Sequence, residues 1–132
     1  MIKYNLKTVL LILGVIFGYC NSAKAQSIVE SVTAKELNGI LEKTTDVQIL
    51  DVRRPTEIVT GKIPGAANID VAEDEFWNKF KELDKDKVYY VYGNTEGKGT
   101  SAARVMKQLG FKYVYNLKGG LKEWKSNGFE LE

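Results

Sequence analysis

The sequence predicts an α/β domain whose parallel sheet is covered on both faces, and three observations lead there. Val47-Gln-Ile-Leu-Asp51 and Val88-Tyr-Tyr-Val-Tyr92 are short, largely apolar runs that read as buried strands. Segments with apolar residues at helical spacing alternate with such runs along the chain. Between Tyr92 and the helical pattern of Ala102, Val105, Met106 and Leu109 lies Gly93-Asn-Thr-Glu-Gly-Lys-Gly99, a glycine-rich loop opening onto a helix.

The elements follow in order. Ser27-Ile-Val-Glu-Ser-Val32 forms a short first strand. Thr33 is placed as a helix N-cap, with Glu36 three residues on completing a capping box, and Leu37, Ile40 and Leu41 supply the apolar stripe. After the strand at 47–51, Arg53-Arg-Pro55 leads into a short helix through Ile58 and Val59, with Pro55 as its first residue. Gly61-Lys-Ile-Pro-Gly65 is a turn, and Ala66-Ala-Asn-Ile-Asp70 a short small-residue strand. Phe76, Trp77, Phe80 and Leu83 give the next helix a large apolar face. Gly110 ends the helix that follows the central loop, and Tyr113-Val-Tyr-Asn116 is a further strand. Gly119-Gly120 then opens a last helix carrying Leu121 and Trp124, closed by Gly128. No repeat, low-complexity run or internal linker interrupts the pattern.

Residues 1–25 read as a secretory signal peptide. Lys3 and Lys7 form a positive n-region, Val9 to Tyr19 an apolar core, and Ala23-Lys-Ala25 a cleavage site before Gln26. The apolar stretch falls short of the roughly 20 residues of a membrane span. Two alternatives stand beside this reading. One is a retained anchor over residues 8–20. The other is a lipoprotein modified at Cys20, which Tyr19 disfavours because such signals want a small residue before the cysteine. The expectation is export to the periplasm or the exterior, with no stable membrane insertion after cleavage. Residues 27–132 are the folded domain.

Processing also changes the charge. The leader holds three lysines and no acids, so the formal charge falls from +2 to −1 on cleavage. That removes the apparent basicity, and nucleic-acid binding is not expected. The chain has no histidine, and its one cysteine is Cys20. The mature domain therefore has no disulfide, no thiol chemistry and no evident metal-ligand cluster, and no cofactor is expected.

The central loop places unpaired backbone N–H groups and the positive end of a helix dipole together, an arrangement that cradles an anion or activates a nucleophile. Gly93, Gly97 and Gly99 permit conformations that turn amides inward, and Lys98 adds a cation. The plainer reading is a tight turn with Lys98 as a solvated charge. The stretch also approaches a phosphate-binding P-loop. It is one residue short between the glycines, however, and Gly99 intervenes before Thr100.

Leu50-Asp-Val-Arg53, then Glu57, then Gly61-Lys-Ile-Pro-Gly-Ala-Ala-Asn68 resembles the first signature of the rhodanese family. Asn116-Leu-Lys-Gly-Gly-Leu-Lys-Glu-Trp124 resembles its C-terminal Gly-Gly-x-x-x-Trp signature. The resemblance covers nearly all of 27–132 and implies a five-stranded parallel sheet with helices on both faces. It also implies structural roles for Asp51, Arg53, Gly119, Gly120 and Trp124. Active family members begin the six-residue loop with a cysteine, commonly as Cys-x-x-Gly-x-Arg. Here Gly93 stands in the cysteine position and Lys98 in that of the arginine, while Lys62 replaces a usual histidine.

The family transfers sulfur through a cysteine persulfide, which Gly93 cannot form. Thr95 and Thr100 are hydroxyls with no histidine to activate them. Glu96 would serve as a base only with a raised pKa, and a nearby lysine and helix N-terminus push the other way. Asp51 and Arg53 are expected to brace loops as an ion pair, since buried charges need partners. Trp77 and Trp124 are expected in the core. The expected function is a catalytically silent binding or regulatory module for a small anion or a protein partner. Its rival is a sulfurtransferase working without the usual cysteine, or with one supplied by a partner.

Overall fold

The computed structural model describes residues 28–132; the expected leader, with Cys20 and the expected cleavage site after Ala25, lies outside the described residues. Five strands form one sheet: β1 (Glu30–Val32), β2 (Val47–Asp51), β3 (Ala67–Asn68), β4 (Val88–Tyr92) and β5 (Tyr113–Leu117), in the order β1-β5-β4-β2-β3. Every neighbouring pair is parallel. Four helices connect them, α1 (Ala34–Leu41), α2 (Pro55–Ile58), α3 (Phe76–Glu82) and α4 (Glu96–Gln108), and α5 (Gly120–Ser126) follows β5.

Alternation along the central strands divides the core in two. Leu50, Tyr89, Val91 and Val114 face α3 and α4, where they meet Phe80, Ala102, Ala103 and Met106. Ile49, Tyr90, Tyr92 and Leu117 face α1 and α5, where they meet Leu37, Leu121 and Trp124. Both sheet faces are therefore buried, which is why these strands lack a polar side.

The Thr33 cap forms as expected, with Glu36 N–H donating to the Thr33 hydroxyl at 3.2 Å and Thr33 N–H donating back to Glu36 at 2.8 Å. Pro55 opens α2. Three expectations need correction. The first strand covers only Glu30–Val32, and the strand expected over 66–70 pairs only at Ala67–Asn68. Trp77 is 40 % exposed, not buried. Phe76 and Phe80, four apart, take the inward face of the short α3, and the Trp77 ring leans on Phe76 from outside, 4.5 Å between centroids.

The third correction bears on the site. α4 begins at Glu96, so Glu96, Gly97, Lys98 and Gly99 form its first turn rather than a loop, and the connection from β4 is only Gly93–Thr95. None of Gly93, Gly97 and Gly99 has positive φ. Gly99 serves packing instead. A Cβ there would collide with the Asn116 Oδ1 and stand 3.2 Å from the Tyr92 Cα, so its absence lets α4 lie close on the sheet.

Candidate functional site

The connections leaving β2, β4 and β5 meet at the carboxyl edge of the sheet, where open α/β folds place their sites. At the bottom lies the pair Asp51–Arg53, 0 % and 1 % exposed. The Arg53 Nε donates to Asp51 Oδ1 at 2.9 Å, and Nη2 donates to Oδ2 at 2.6 Å. Nη2 also donates to the Gly61 carbonyl at 2.8 Å, and Nη1 to the Glu57 carbonyl at 3.1 Å and to Asn94 Oδ1 at 3.5 Å. Every guanidinium N–H thus has an acceptor, as a buried charge requires. Burial alone would make Arg53 less basic. The Asp51 carboxylate outweighs that and holds it above its usual range. The expected bracing role is what this geometry performs: one side chain ties together β2, the start of α2, the Gly61 turn and the central loop.

Two residues that sequence reasoning passed over belong to this brace. The Tyr92 hydroxyl accepts the Ile63 N–H at 3.0 Å, and the ring lies under the guanidinium, 5.9 Å from its centre. Burial, followed by the neighbouring Asp51, pushes the Tyr92 hydroxyl far above its normal pKa, so it stays neutral. The Asn68 amide donates to the Asp51 and Arg53 carbonyls at 2.9 and 2.8 Å.

Gly93 is buried at the end of β4, and Asn94, Thr95, Glu96, Gly97 and Lys98 are exposed above it. Thr95 is the N-cap of α4 in extended conformation, and its side chain makes no capping bond. The connection is held from the side by α5. Leu121 N–H donates to the Gly93 carbonyl at 2.9 Å, and Lys122 N–H to the Asn94 carbonyl at 3.0 Å. This contact explains the glycine pair. Gly120 has φ +61, and a Cβ on it would stand 2.6 Å from the carbonyl oxygens of Gly93 and Thr95. Gly119, at φ +75, turns the chain from β5 into α5. Trp124 anchors the other end of that helix, 2 % exposed, its Nε1 donating to the Glu130 carbonyl at 2.8 Å.

Beneath α4, the Thr100 hydroxyl donates to the Glu96 carbonyl at 3.0 Å and accepts from Asn116 Nδ2 at 3.0 Å. Asn116 is fully buried, and its Oδ1, set against Gly99, has no hydrogen-bond partner. Thr100 is thereby committed to the backbone and to Asn116.

Glu57 was visible in the sequence only as part of a signature, yet it joins the two candidate sets. Its carboxylate reaches from α2 across to the central loop, accepting from Arg54 N–H at 2.9 Å and from the Asn94 amide, and lying 3.7 Å from Lys98 Nζ. The Arg54 N–H, then Lys98 and Asn94, hold this carboxyl below the usual glutamate range despite some burial. Asp51, Arg53, Asn94, Glu57 and Lys98 consequently form one continuous polar chain from the sheet to the loop surface. Lys62, by contrast, turns away toward the Ala66 carbonyl, 3.0 Å off.

Position 93 has no room for a side chain as the loop stands. A Cβ on Gly93 would lie 2.9 Å from the Lys98 Cβ and 3.5 Å from the Thr95 carbonyl oxygen. Nothing in Gly93–Gly99 offers a thiol. Among the described residues no group of three or more His, Cys, Asp or Glu side chains is arranged to hold a metal ion. Nor is any helix there long and apolar enough to cross a membrane.

Comparison with known proteins agrees with this architecture. The uncharacterized protein YqhL of Bacillus subtilis is 33 % identical over 99 residues, covering 75 % of each chain. A sulfurtransferase of Allochromatium vinosum is 28 % identical over 104 residues, 79 % of this chain and 95 % of that one. The crystal structure of a rhodanese-related protein from Thermoplasma volcanium superposes with a TM-score of 0.70 at 28 % identity, covering 78 % of this chain and 97 % of the other. A family model described as the rhodanese-like domain matches residues 33–127. With the five-stranded parallel sheet, the Asp51–Arg53 brace and the glycine pair under the loop, the chain belongs to the rhodanese-like domain family.

Proposed function

We propose that this domain has given up sulfur transfer and acts as a binding or regulatory module, using the loop face at Gly93–Gly99 to take a small anion or a protein partner. The observation that carries the reading is Gly93 at the β4–α4 junction, where the family presents its cysteine. A persulfide needs a thiolate, and the chain holds no cysteine beyond Cys20 in the leader. The hydroxyl of Thr100 is spent on Glu96 and Asn116, which weakens the case for it as a substitute nucleophile. The Glu57 carboxyl is held in its charged form, which suits an ion-pair partner better than a proton donor near neutral pH.

Export is part of the proposal and rests on the charged n-region, apolar core and Ala23-Lys-Ala25 pattern. N-terminal sequencing of the native protein tests it, with a chain starting at Gln26 as the expected result. A chain starting at a lipid-bearing Cys20 would make it a lipoprotein.

The functional test is a thiosulfate–cyanide assay on the purified domain, run after removal of all extraneous thiols. No turnover above background is expected. Turnover abolished by substituting Lys98 or Thr100 would overturn the silent reading in favour of a sulfurtransferase working without cysteine. Turnover appearing only when a thiol-bearing partner is added would favour a cysteine supplied in trans.

A further inference from the structure

Lys98 closes over the place where a nucleophile would stand. Its Cβ lies 2.9 Å from the point a Gly93 Cβ would take, and its ammonium is turned toward Glu57, 3.7 Å from Oε2. Glu57 is itself fixed at three points: the Arg54 N–H, the Asn94 amide and the Lys98 ammonium. Asn94 is backed in turn by Arg53 Nη1 at 3.5 Å. The carboxylate therefore already engages Asn94 and Lys98, the amide and the cation with which the loop would meet an incoming negative charge. Both partners stay accessible, Lys98 at 49 % and Glu57 at 31 % of the side chain, so the contact is open to exchange.

We propose that Glu57 is an autoinhibitory latch: it holds Asn94 and Lys98 as an internal anion, and a small external anion reaches these side chains only by displacing it. This inference rests on the loop-binding reading above and specifies what limits it. The affinity of the loop is set by competition with a carboxylate tethered in the same molecule. Neutralising that carboxylate removes the charge that holds the Lys98 ammonium, without altering the backbone of α4 or the buried Asp51–Arg53 pair beneath.

The test titrates thiosulfate into 15N-labelled protein at constant ionic strength and follows the amides of Asn94 to Lys98. Glu57→Gln is expected to bind about fivefold more tightly than the unsubstituted protein, the scale of a half-exposed ion pair. Within the Lys98→Met background, measured against the Lys98→Met single variant, Glu57→Gln should give no gain. Glu57→Asp, which is too short to reach Lys98 while keeping an acceptor near Arg54, should rise by a smaller factor and guards against a fold defect in the first variant. Equal affinity across the folded single variants and the unsubstituted protein overturns the latch and leaves loop binding standing. A gain of the same size from Glu57→Gln within the Lys98→Met background also overturns it, since the added charge would then act at large and not by releasing Lys98. No thiosulfate-dependent shift in any of them overturns the latch and the anion-binding reading together.

Discussion

Two ion pairs stand at the same end of the sheet and differ in almost every physical respect. Asp51 and Arg53 are buried, 2.6 Å apart, and wrapped in further hydrogen bonds to Gly61, Glu57 and Asn94. Glu57 and Lys98 are half-exposed, 3.7 Å apart, and joined to the first pair through Asn94. The deep pair carries a large desolvation penalty and persists only because every donor is answered. The outer pair is screened by water and worth little to stability. The deep pair therefore fixes the frame, and the outer pair sets which charges the loop face exposes.

The sharpest way to break this comparison is to remove one member of each pair. Arg53→Met leaves Asp51 buried and unpaired, and urea unfolding should record a loss of about 3–5 kcal/mol. Glu57→Gln, in the same titration, should change stability by less than about 1 kcal/mol. A small loss at Arg53 would mean that the brace is dispensable and that the division of labour is wrong.

The two tryptophans extend the contrast to apolar side chains. Trp124 is 2 % exposed and packs on Phe129, 5.0 Å between ring centroids. Trp124→Ala should cost roughly 3–5 kcal/mol, the range for deleting a large buried aromatic. Trp77 lies 40 % exposed on the outer side of α3, and Trp77→Ala should cost less than about 1 kcal/mol. A large loss at Trp77 would show that its ring is covered in solution.

The smallest effect concerns pH. Glu57 has a carboxyl pKa below its ordinary value, so its contribution to stability is complete above the unfolded value of about 4.3 and fades as pH falls through the lower folded value. Thermal unfolding of the native protein and of Glu57→Gln, compared from neutral to acidic pH, should therefore converge at the acid end. A difference that widens on acidification would contradict the assigned direction.

The strands are legible because both faces of the sheet are covered, which leaves β4 without a charged residue and puts Val47, Ile49 and Leu50 in β2. The Thr33–Glu36 capping box and Pro55 marked helix starts by local chemistry alone. What escaped was set by distant contacts. α4 starts four residues earlier than the pattern from Thr100 suggests, because Gly97 and Gly99 have the composition of a loop. Only the closeness of Asn116 and the Tyr92 Cα explains a glycine inside the helix. Trp77 was misplaced because a helix of seven residues has a narrow inward face, and spacing alone does not tell which of two adjacent aromatics takes it. Glu57 and Tyr92 entered the site through partners 37 and 29 residues away, and no local pattern carries such a signal. The absence of a thiol at position 93, by contrast, was fully legible, because it depends on residue identity and not on geometry.

Gly93→Cys tests most directly the proposal that Gly93–Gly99 stabilises negative charge. A Cβ there meets the Lys98 Cβ at 2.9 Å, so the first turn of α4 must shift to admit it; stability is measured alongside, with a loss of about 1–3 kcal/mol expected from overpacking. The pH dependence of alkylation then gives the thiol pKa. The account predicts a value below the free-cysteine value of about 8.5, lowered by the α4 dipole and the Lys98 ammonium. A folded variant whose thiol titrates at or above that value would contradict it.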